Sequence, residues 1–517
     1  MRVFPVPEPC SVDAYQAGHY LMLPPGMEDF EVSQAVFRRP LDSPPGESAD
    51  WRLVAGGIAP WLLLEPGFAR PLERRELAEA ETFYRDFYLG GQPFPWPRAM
   101  FERILERHEG YFPLCVMGLF DGQAHYVGEP CLQIWTDAAG CGESVGWIES
   151  TLLPYLWNFS ILATRGRRRK ERMIEVFRSA YPSRSLDELH ATVATRLHDF
   201  GRRGGAASQM TGIAHLYNWL GTDTVDAAYA ATHYLNDGRP FGACSVLASA
   251  HRSTTPWPRE DEAYDRIVEL FDRFQIISVV ADTYGYARGI RKLAERAETI
   301  RARGGWLVAR PDSGDPVETT LLGLRELEQA LGTDRQERGL KVLRGASILQ
   351  GDTMSDVLIF ARIYPAVVAA GFSPSNLVFG MGEQSHRAHR SETELAYKTA
   401  LVGIDDPRFP SGCRENMKSS DVLLKRSIPG AVGIDCRRQS NRVYPVTIDQ
   451  LRRGETGDLV VLHDRRPRPL PVRRESFSQT RDRAWQSWLE LPPRSGDTFD
   501  PALRRKQVDY LATMTAD

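Results

Sequence analysis

Residues 275–282 read QIISVVAD, a nearly continuous run of apolar, β-branched residues that ends in a carboxylate. Such a run predicts a strand covered on both faces, as in a parallel sheet. Between about residues 192 and 390 the same pattern recurs, each time followed by a helical stretch, and this repetition predicts βα units. The other members are Thr192–Asp199 (TVATRLHD), Gly242–His251 (GACSVLASAH), Trp306–Asp312 (WLVARPD), Ala346–Asp352 (ASILQGD) and Asn376–Gly382 (NLVFGMG).

The βα repetition is compatible with a closed barrel or with an open, doubly wound sheet. The segments between the strands include amphipathic helices such as Val317–Leu331, which suit either arrangement. We favour an irregular parallel α/β barrel, because chemically useful residues stand at nearly every strand end and barrels place their chemistry there.

The length of 517 residues predicts two domains, since single hydrophobic cores stop growing near about 250–300 residues. We expect an N-terminal α/β domain over 1–180 and the barrel over 181–390. The C-terminal part, 391–517, is expected to pack with the N-terminal domain into a second α/β domain. Within it, Asp458–His463 (DLVVLH) and Pro471–Phe477 (PVRRESF) read as a strand pair.

Composition and charge limit the classes of function. Hydrophobic residues make up 42% and charged residues 25%, as in soluble globular proteins. The net charge of -3 provides no field that would attract nucleic acid or an anionic membrane, so we expect neither partner. The basic run Arg165–Arg172 (RGRRRKER) is interpreted as the exposed start of a helix. Without a signal-peptide core or a membrane-spanning apolar stretch, we expect a cytoplasmic protein.

Acids, arginines and glycines stand at the predicted strand ends. Any one of them could be a helix cap or a turn residue. As a set, carboxylates suit a divalent cation, while arginines and backbone N–H groups suit phosphate oxygens, and a phosphorylated sugar with magnesium uses both. A transition-metal hydrolase is disfavoured because His198 and His251 have no histidine in ligand spacing. The set comprises Asp199, Arg203, Asp223, His251, Asp282, Arg310, Asp312 and Asp352, with Gly201, Gly314, Gly351, Gly380 and Gly382.

Six motifs in order and approximate spacing make the chain resemble nicotinamide phosphoribosyltransferases, within the type II phosphoribosyltransferase family. The resemblance implies that the pyridine nitrogen of nicotinamide attacks C1 of phosphoribosyl pyrophosphate and expels pyrophosphate, without a covalent nucleophile, in NAD synthesis. The motifs are His198–Gly204 (HDFGRRG), Gly221–Val225 (GTDTV), Ser245–His251 (SVLASAH), Ser278–Tyr284 (SVVADTY), Arg310–Pro316 (RPDSGDP) and Gln350–Asp352 (QGD).

For nicotinamide, the resemblance implies stacking between Phe200 and Tyr15 of the partner subunit in a homodimer. Asp223 would accept from the carboxamide NH2, Arg310 would donate to its carbonyl oxygen, and Asp13 would lie close by. Nicotinate is the alternative substrate, disfavoured because its carboxylate would be repelled by Asp223. The relatives that use the acid have Ser-Asn where this chain has Asp223-Thr224.

For the phosphoribosyl group, the resemblance implies a second set of residues. Arg203 and Arg310 would lie near the diphosphate, and Asp282 and Asp312 near ribose and Mg²⁺. The remaining positions implied are Gly351 and Asp352 at the ribose, and Gly382 at the 5′-phosphate with Arg390 and the partner subunit's Arg39 and Lys398.

His251 corresponds to a histidine that ATP phosphorylates in this family, so that ATP stimulates the reaction. We therefore expect His251, Asp282 and Asp312 to form the catalytic group. Two positions depart from the family pattern: Ala250 replaces a glutamate, and Glu383 stands in a phosphate loop where glycines are usual. A barrel that binds a nucleotide or partner without catalysis is a further alternative, against which the intact acids and arginines argue.

Overall fold

Two compact units make up the chain. Unit 1 comprises Met1–Thr164 with Ala388–Asp517, and unit 2 comprises Arg165–Arg387. The computed structural model describes residues 4–42, 49–351, 354–420, 425–466, 472–493 and 498–514.

The strands, in chain order, are β1 (Glu31–Val36), β2 (Arg52–Val54), β3 (Cys115–Gly118), β4 (Ala124–Tyr126), β5 (Pro130–Thr136), β6 (Leu197–Asp199), β7 (Leu247–Ala248), β8 (Ile276–Val280), β9 (Trp306–Arg310), β10 (Thr333–Arg335), β11 (Lys341–Leu343), β12 (Ala346–Gln350), β13 (Leu377–Met381), β14 (Ala396–Gly403), β15 (Cys413–Glu415), β16 (Val432–Ile434), β17 (Val443–Pro445) and β18 (Val460–Asp464).

The α-helices are α1 (Ala14–Ala17), α2 (Ile58–Leu64), α3 (Arg74–Thr82), α4 (Arg98–Arg107), α5 (Ser144–Trp147), α6 (Glu149–Ala180), α7 (Leu186–Val193), α8 (Ser208–Leu216), α9 (Val225–Ala230), α10 (His251–Thr254), α11 (Glu260–Leu270), α12 (Tyr286–Ala302), α13 (Pro316–Leu331), α14 (Tyr364–Ala369), α15 (Glu383–His386), α16 (Ile448–Arg452), α17 (Phe477–Glu490) and α18 (Pro501–Met514). None of them, over the residues described, combines the length and apolar character needed to cross a membrane.

Unit 2 contains all six predicted strands in one parallel sheet, in the order β6-β13-β12-β9-β8-β7. The segment 220–223 closes the ring, because Asp223 N–H donates to Asp199 O and Thr222 N–H to Cys244 O, at 3.0 and 2.9 Å. Cys244 leads into β7, so backbone hydrogen bonds connect every neighbour around the circle. The predicted irregular parallel α/β barrel is confirmed.

The barrel strands are buried, and amphipathic helices cover them. Leu307, Ala309 and Ile348 are fully buried on β9 and β12. Helix α12 approaches β8 so closely that a Cβ at Gly289 would lie 1.9 Å from the Ala281 carbonyl oxygen. This contact requires glycine, as in a helix packed directly against strand backbone.

Unit 1 is built around a six-stranded antiparallel sheet in the order β15-β14-β1-β5-β3-β18. The N- and C-terminal parts are joined in it, because β1 pairs with β14 and β3 with β18. Val32, Met117 and Trp135 lie in its core. The second α/β domain from both ends of the chain is thus present as predicted.

The predicted strand pair of the C-terminal part is wrong in its second member. β18 (Val460–Asp464) pairs with β3 instead, and residues 472–476 form no strand. Phe477 begins α17, because the Ser476 side chain accepts a hydrogen bond from the Gln479 N–H and the Gln479 side chain accepts one from the Ser476 N–H. This capping box outweighs the proline-arginine turn that suggested a strand pair. Pro471 lies outside the described residues.

The division between the units lies within α6 (Glu149–Ala180) and between Arg387 and Ala388. The boundaries expected from the sequence were near residues 180 and 390. The first boundary differs because it lies inside a continuous helix. The sequence of α6 shows no change in composition at the point where unit 1 ends and unit 2 begins.

The basic run Arg165–Arg172 is not the exposed start of a helix, since it lies in the interior of α6. Arg167 and Lys170 are 0% and 1% exposed. Lys170 Nζ donates to the Asn218 carbonyl oxygen at 2.7 Å, and Arg165 Nη1 donates to the Arg387 carbonyl oxygen at 2.6 Å. Buried cations with polar partners have a structural role that composition alone does not reveal.

Candidate active site

The carboxyl ends of the barrel strands carry most of the predicted site residues. Because the six barrel strands of unit 2 run parallel, their carboxyl ends lie at one mouth of the barrel. Asp199 ends β6 and Phe200 follows it, Asp282 follows β8, Arg310 ends β9, and Gly351 follows β12.

His251 lies between two carboxylates. Its Nε2 is 3.3 Å from Asp312 Oδ2 and 3.6 Å from Asp282 Oδ1. On the other side of the ring, Nδ1 is 3.3 Å from Thr283 Oγ1. The His251 side chain is 43% exposed, whereas that of Asp282 is only 3% exposed. The structure therefore brings together the three residues predicted to be catalytic.

The two carboxylates have a donor set that fits Mg²⁺. Asp282 Oδ2 accepts from Ser313 Oγ at 2.5 Å, while Oδ1 is buried without a hydrogen-bond partner. A buried carboxylate oxygen left in this state favours a cation. Magnesium typically takes one or two carboxylates and completes its shell with substrate phosphates and water. Among the described residues, no group of three or more His, Cys, Asp or Glu side chains is placed to hold a metal ion.

Arg310 projects from the end of β9 with unused donor capacity. Its side chain is 17% exposed, its Nε is 3.8 Å from Asp312 Oδ1, and this Nε is buried without a hydrogen-bond partner. The Arg310 carbonyl oxygen accepts from Ala281 N–H at 2.9 Å, which fixes the backbone below it. A guanidinium held in this way is positioned to donate hydrogen bonds to carbonyl or phosphate oxygens.

Asp223 precedes α9 and is held by two side chains that were not predicted as its neighbours. Ser245 Oγ donates to Asp223 Oδ1 at 2.7 Å, and His198 Nδ1 is 3.7 Å from Oδ2. The Asp223 side chain is 36% exposed, so its carboxylate remains accessible. A Cβ at Gly221 would lie 2.6 Å from His198 Cδ2, so the glycine of GTDTV packs against the imidazole ring.

Asp199 is fully buried beneath this loop. Its Oδ2 accepts from Thr224 Oγ1 at 2.6 Å, and His386 Nε2 is 3.4 Å from the same oxygen. His215 Nε2 is 3.9 Å from Asp199 Oδ1. Burial lowers the pKa of His215 to about 4, against the raising effect of Asp199. Asp199 is therefore an anchor for the GTDTV loop, a task that its strand-end position alone did not indicate.

Phe200 lies over the ends of the two neighbouring strands. A Cβ at Gly380 would be 2.4 Å from the Phe200 ring, and one at Gly351 would be 3.8 Å from it. Glycine at these strand ends thus provides the space in which the ring lies. The sequence indicated these glycines only as groups that free backbone N–H for a phosphate.

The loop after β13 resolves the expected conflict at Glu383. Gly382 is buried, whereas the Glu383 side chain is 67% exposed and lies 3.2 Å from Arg387 Nη1. Its charge is directed to solvent rather than into the barrel mouth. Arg203 is exposed in the 3₁₀ turn Gly201–Arg203, and Asp352 lies outside the described residues.

Unit 1 carries the residues predicted to act from a partner subunit. Asp13 precedes α1, and Tyr15 on that helix is 63% exposed with its ring edge-on to His19 at 5.2 Å. Arg39 is exposed and pairs with Asp42 at 2.8 Å.

Positive charge is concentrated around Lys398, which is half-buried on β14. Burial lowers the pKa of Lys398, Glu149 opposes this effect, and Arg38, Lys418 and Arg390 lower the pKa further by repulsion. The four cations are thus close enough to affect one another, which is typical of an anion-binding surface.

Comparison with known proteins gives both sequence and fold relatives. Residues 195–426 match the model of the nicotinate phosphoribosyltransferase (NAPRTase) family. A nicotinamide phosphoribosyltransferase of Xanthomonas campestris pv. campestris is 29% identical over 413 residues, covering 76% of this chain and 81% of the relative. One of Acinetobacter baylyi is 28% identical over 363 residues, covering 63% of this chain and 69% of the relative.

Two crystal structures share the fold at low identity. Human nicotinic acid phosphoribosyltransferase has a TM-score of 0.55 and 15% identity, covering 97% of this chain and 99% of its own. Nicotinate-nucleotide pyrophosphorylase from Pyrococcus furiosus has a TM-score of 0.54 and 13% identity, covering 96% of this chain and 100% of its own. At these identities the likeness concerns the fold alone.

Proposed function

We propose that the chain is a member of the nicotinate phosphoribosyltransferase family and that it acts as a nicotinamide phosphoribosyltransferase. This pentosyltransferase forms nicotinamide mononucleotide and pyrophosphate from nicotinamide and phosphoribosyl pyrophosphate in NAD salvage. The observation that carries the choice of substrate is the accessible Asp223 carboxylate, whose Oδ1 is occupied by Ser245 and whose Oδ2 remains available.

Recognition of the amide follows from donor and acceptor chemistry. The carboxamide NH2 donates to Asp223, and the carbonyl oxygen accepts from Arg310, while Phe200 stacks on the pyridine ring. A nicotinate carboxylate in the same place would meet Asp223 as a like charge. At a separation of about 4 Å and an effective dielectric of about 20, such repulsion costs about 4 kcal/mol.

The reaction needs positioning and charge stabilisation rather than a nucleophilic side chain. Asp282 and Asp312 would hold Mg²⁺, which neutralises the departing pyrophosphate when bound. Arg203 and Arg310 bind the diphosphate oxygens. The carboxylates at the barrel mouth also stabilise positive charge that grows on the ribose as the bond to pyrophosphate breaks.

A homodimer with shared active sites supplies the remaining groups. We assign Tyr15 and Asp13 of the partner subunit to the second face of nicotinamide. The 5′-phosphate lies near Gly382, with the partner subunit's Arg39, Lys398 and Arg390. Arg390 is assigned to the same subunit as Lys398, because its charge acts on the pKa of Lys398. The concentration of cations around Lys398 supports this assignment, because phosphate is the anion that such a surface favours.

ATP stimulates the reaction by phosphorylating His251. His251 Nε2 faces Asp312 Oδ2 at 3.3 Å, so we assign the ring proton to Nε2 and the lone pair to Nδ1, which attacks the γ-phosphorus of ATP as ADP leaves. The 43% exposure of the side chain leaves it accessible. Protein treated with ATP should carry an acid-labile phosphate that His251→Ala abolishes; its persistence in the variant would refute this role.

The function is tested by mixing the protein, Mg²⁺ and phosphoribosyl pyrophosphate with nicotinamide or nicotinate, with and without ATP, and measuring the mononucleotide formed. We expect nicotinamide mononucleotide, with stimulation by ATP. Nicotinate is the second candidate, because the family match fits it as well. A preference for nicotinate would overturn the proposal.

Asp223→Asn should relax the discrimination between the two substrates. The variant loses the like charge that repels nicotinate, so its kcat/KM for nicotinate should rise relative to nicotinamide by tenfold or more, with tenfold equal to about 1.4 kcal/mol. Asp226→Asn, on the adjacent helix, is the matched control and should keep the wild-type ratio. Unchanged selectivity in Asp223→Asn would mean that another residue reads the amide.

A further inference from the structure

Among the described residues, His198 is a neighbour of Asp223 that can gain a positive charge by protonation. The other side chain in contact with this carboxylate, Ser245, is a neutral donor to Oδ1 at 2.7 Å. His198 Nδ1 lies 3.7 Å from Oδ2, the oxygen that the proposed function gives to the carboxamide. The chain connects them rigidly, because Asp223 N–H donates to the carbonyl oxygen of Asp199, the residue after His198.

The His198 ring is fixed and buried. Gly221 packs against its Cδ2–Nε2 edge, where an added Cβ would lie 2.6 to 2.7 Å away, so the Nδ1 edge is directed at Asp223. The side chain is 9% exposed. Burial lowers the pKa of His198 from 6.5, although Asp223 and Asp199 oppose this effect. The imidazole is therefore neutral at neutral pH.

We propose that His198 is a specificity-determining residue: as a neutral imidazole it leaves the charge of Asp223 uncompensated, and once protonated it allows the pocket to accept a carboxylate. The inference rests on the proposed function and concerns the same site. A cation at this distance from Asp223 offsets the repulsion that excludes nicotinate, whereas a neutral ring does not. Selectivity for nicotinamide should then decrease as the pH falls.

Other titrating groups do not produce the same pH dependence of the selectivity for nicotinamide over nicotinate. The groups that face His198 are Asp223 before α9, Asp199 on β6 and His215 on α8. His215, with its pKa lowered to about 4, stays neutral in the range of interest. A change in the protonation of the diphosphate alters both reactions alike, so it cancels from the ratio of the two kcat/KM values.

The test compares this ratio, nicotinamide over nicotinate, between about pH 5.5 and pH 8 in wild type, His198→Gln and His198→Lys. Wild type should lose about tenfold or more of its selectivity towards acid pH. His198→Gln, which cannot be charged, should keep a high ratio at every pH. His198→Lys, with a permanent charge, should have a ratio about tenfold or more below wild type at pH 8.

His233→Gln is the matched control, because His233 is an exposed histidine of the same unit that stacks on Tyr229. Its ratio should follow the wild-type curve. A purely structural role of His198 would lower both reactions equally and leave the ratio unchanged. Should His198→Lys fail to fold, the pH dependence of nicotinate competition against nicotinamide in wild type and His198→Gln gives the same comparison.

Two failures can be distinguished. A wild-type enzyme that prefers nicotinamide with a ratio independent of pH, or equal ratios in the Gln and Lys variants, would overturn the role of His198 and leave the proposed function standing. A wild-type enzyme that prefers nicotinate at every pH would overturn the proposed function itself.

Discussion

Asp199 and Asp223 are carboxylates of the same type, and their surroundings give them different tasks. Asp199 is fully buried and accepts from Thr224 Oγ1, so it holds the loop in place. Asp223, 36% exposed on that same loop, keeps an oxygen free for a ligand. Burial and local donors, rather than residue type, therefore separate the structural acid from the one that selects the substrate.

The Phe200 ring lies where a side chain at residue 380 would stand, so its position requires glycine there. Gly380→Ala would place a Cβ 2.4 Å from the ring, so the ring must move and its stacking on nicotinamide is lost. We expect KM for nicotinamide to rise about two- to tenfold, in line with about 0.5–1.5 kcal/mol for an aromatic pair, and the KM for phosphoribosyl pyrophosphate to change less. Steady-state kinetics with each substrate varied in turn measures both.

Gly146→Ala is the control for this substitution, because nothing lies within 4 Å of the methyl group that it adds. Its kinetics should match wild type. Equal effects of Gly380→Ala on the KM values of both substrates would point to a general distortion of the barrel mouth instead.

Helix α6 connects two of the active-site loops through its buried cations. Arg169 Nε donates to Asp356 Oδ1 at 2.7 Å, in the segment that follows β12. Its Nη2 donates to the Gln384 carbonyl oxygen at 3.2 Å, in the loop after β13. One guanidinium therefore fixes the two loops that the proposed function places around the phosphoribosyl group.

Arg169→Met should weaken both stability and phosphoribosyl pyrophosphate binding. Loss of the charge-assisted hydrogen bonds of a nearly buried guanidinium costs about 2 kcal/mol of unfolding free energy. The released loops should raise KM for phosphoribosyl pyrophosphate more than KM for nicotinamide. Denaturant unfolding and steady-state kinetics check the two effects.

Arg172→Met, on the same helix, is the comparison variant. Arg172 lies 4.6 Å above the Phe360 ring, so its removal should cost less, about 0.5–1 kcal/mol. It should leave both KM values near wild type. If the two variants behave alike, α6 contributes only to packing.

At the scale of the whole molecule, one chain builds two six-stranded sheets of opposite kind. Unit 2 closes a parallel ring from consecutive βα units, whereas unit 1 joins strands from both ends of the sequence into an antiparallel sheet. Buried polar groups occur in both units. In unit 1, Glu31 on β1 is 2% exposed and accepts from Ser33 and Thr399.

Glu31→Gln should stabilise the protein above neutral pH. Burial raises the pKa of Glu31 from 4.5 to about 7, so between these values the unfolded state ionises first and the free energy of unfolding falls as pH rises. This loss of unfolding free energy is complete above about pH 7 and amounts to roughly 3 kcal/mol. Gln removes it while still accepting from both hydroxyls, so the advantage of the variant should vanish towards pH 4.5.

Thermal unfolding of wild type and Glu31→Gln from pH 4.5 to pH 8 measures this difference. Glu143, whose pKa burial also raises to about 7, is present in both proteins, and its repulsion of the Glu31 carboxylate is part of the cost that the variant removes. Glu295→Gln, 73% exposed on α12, is the control and should differ from wild type equally at every pH. A constant difference for Glu31→Gln would contradict the prediction.

The sequence by itself determined the six barrel strands and the acids and arginines at their ends. These are local patterns, and parallel strands necessarily bring their carboxyl ends to one mouth. Tertiary structure alone decided that Arg165–Arg172 is largely buried, that Glu383 points to solvent, and that His198 lies beside Asp223. Each of these depends on packing between segments distant in the chain, which neither periodicity nor composition records.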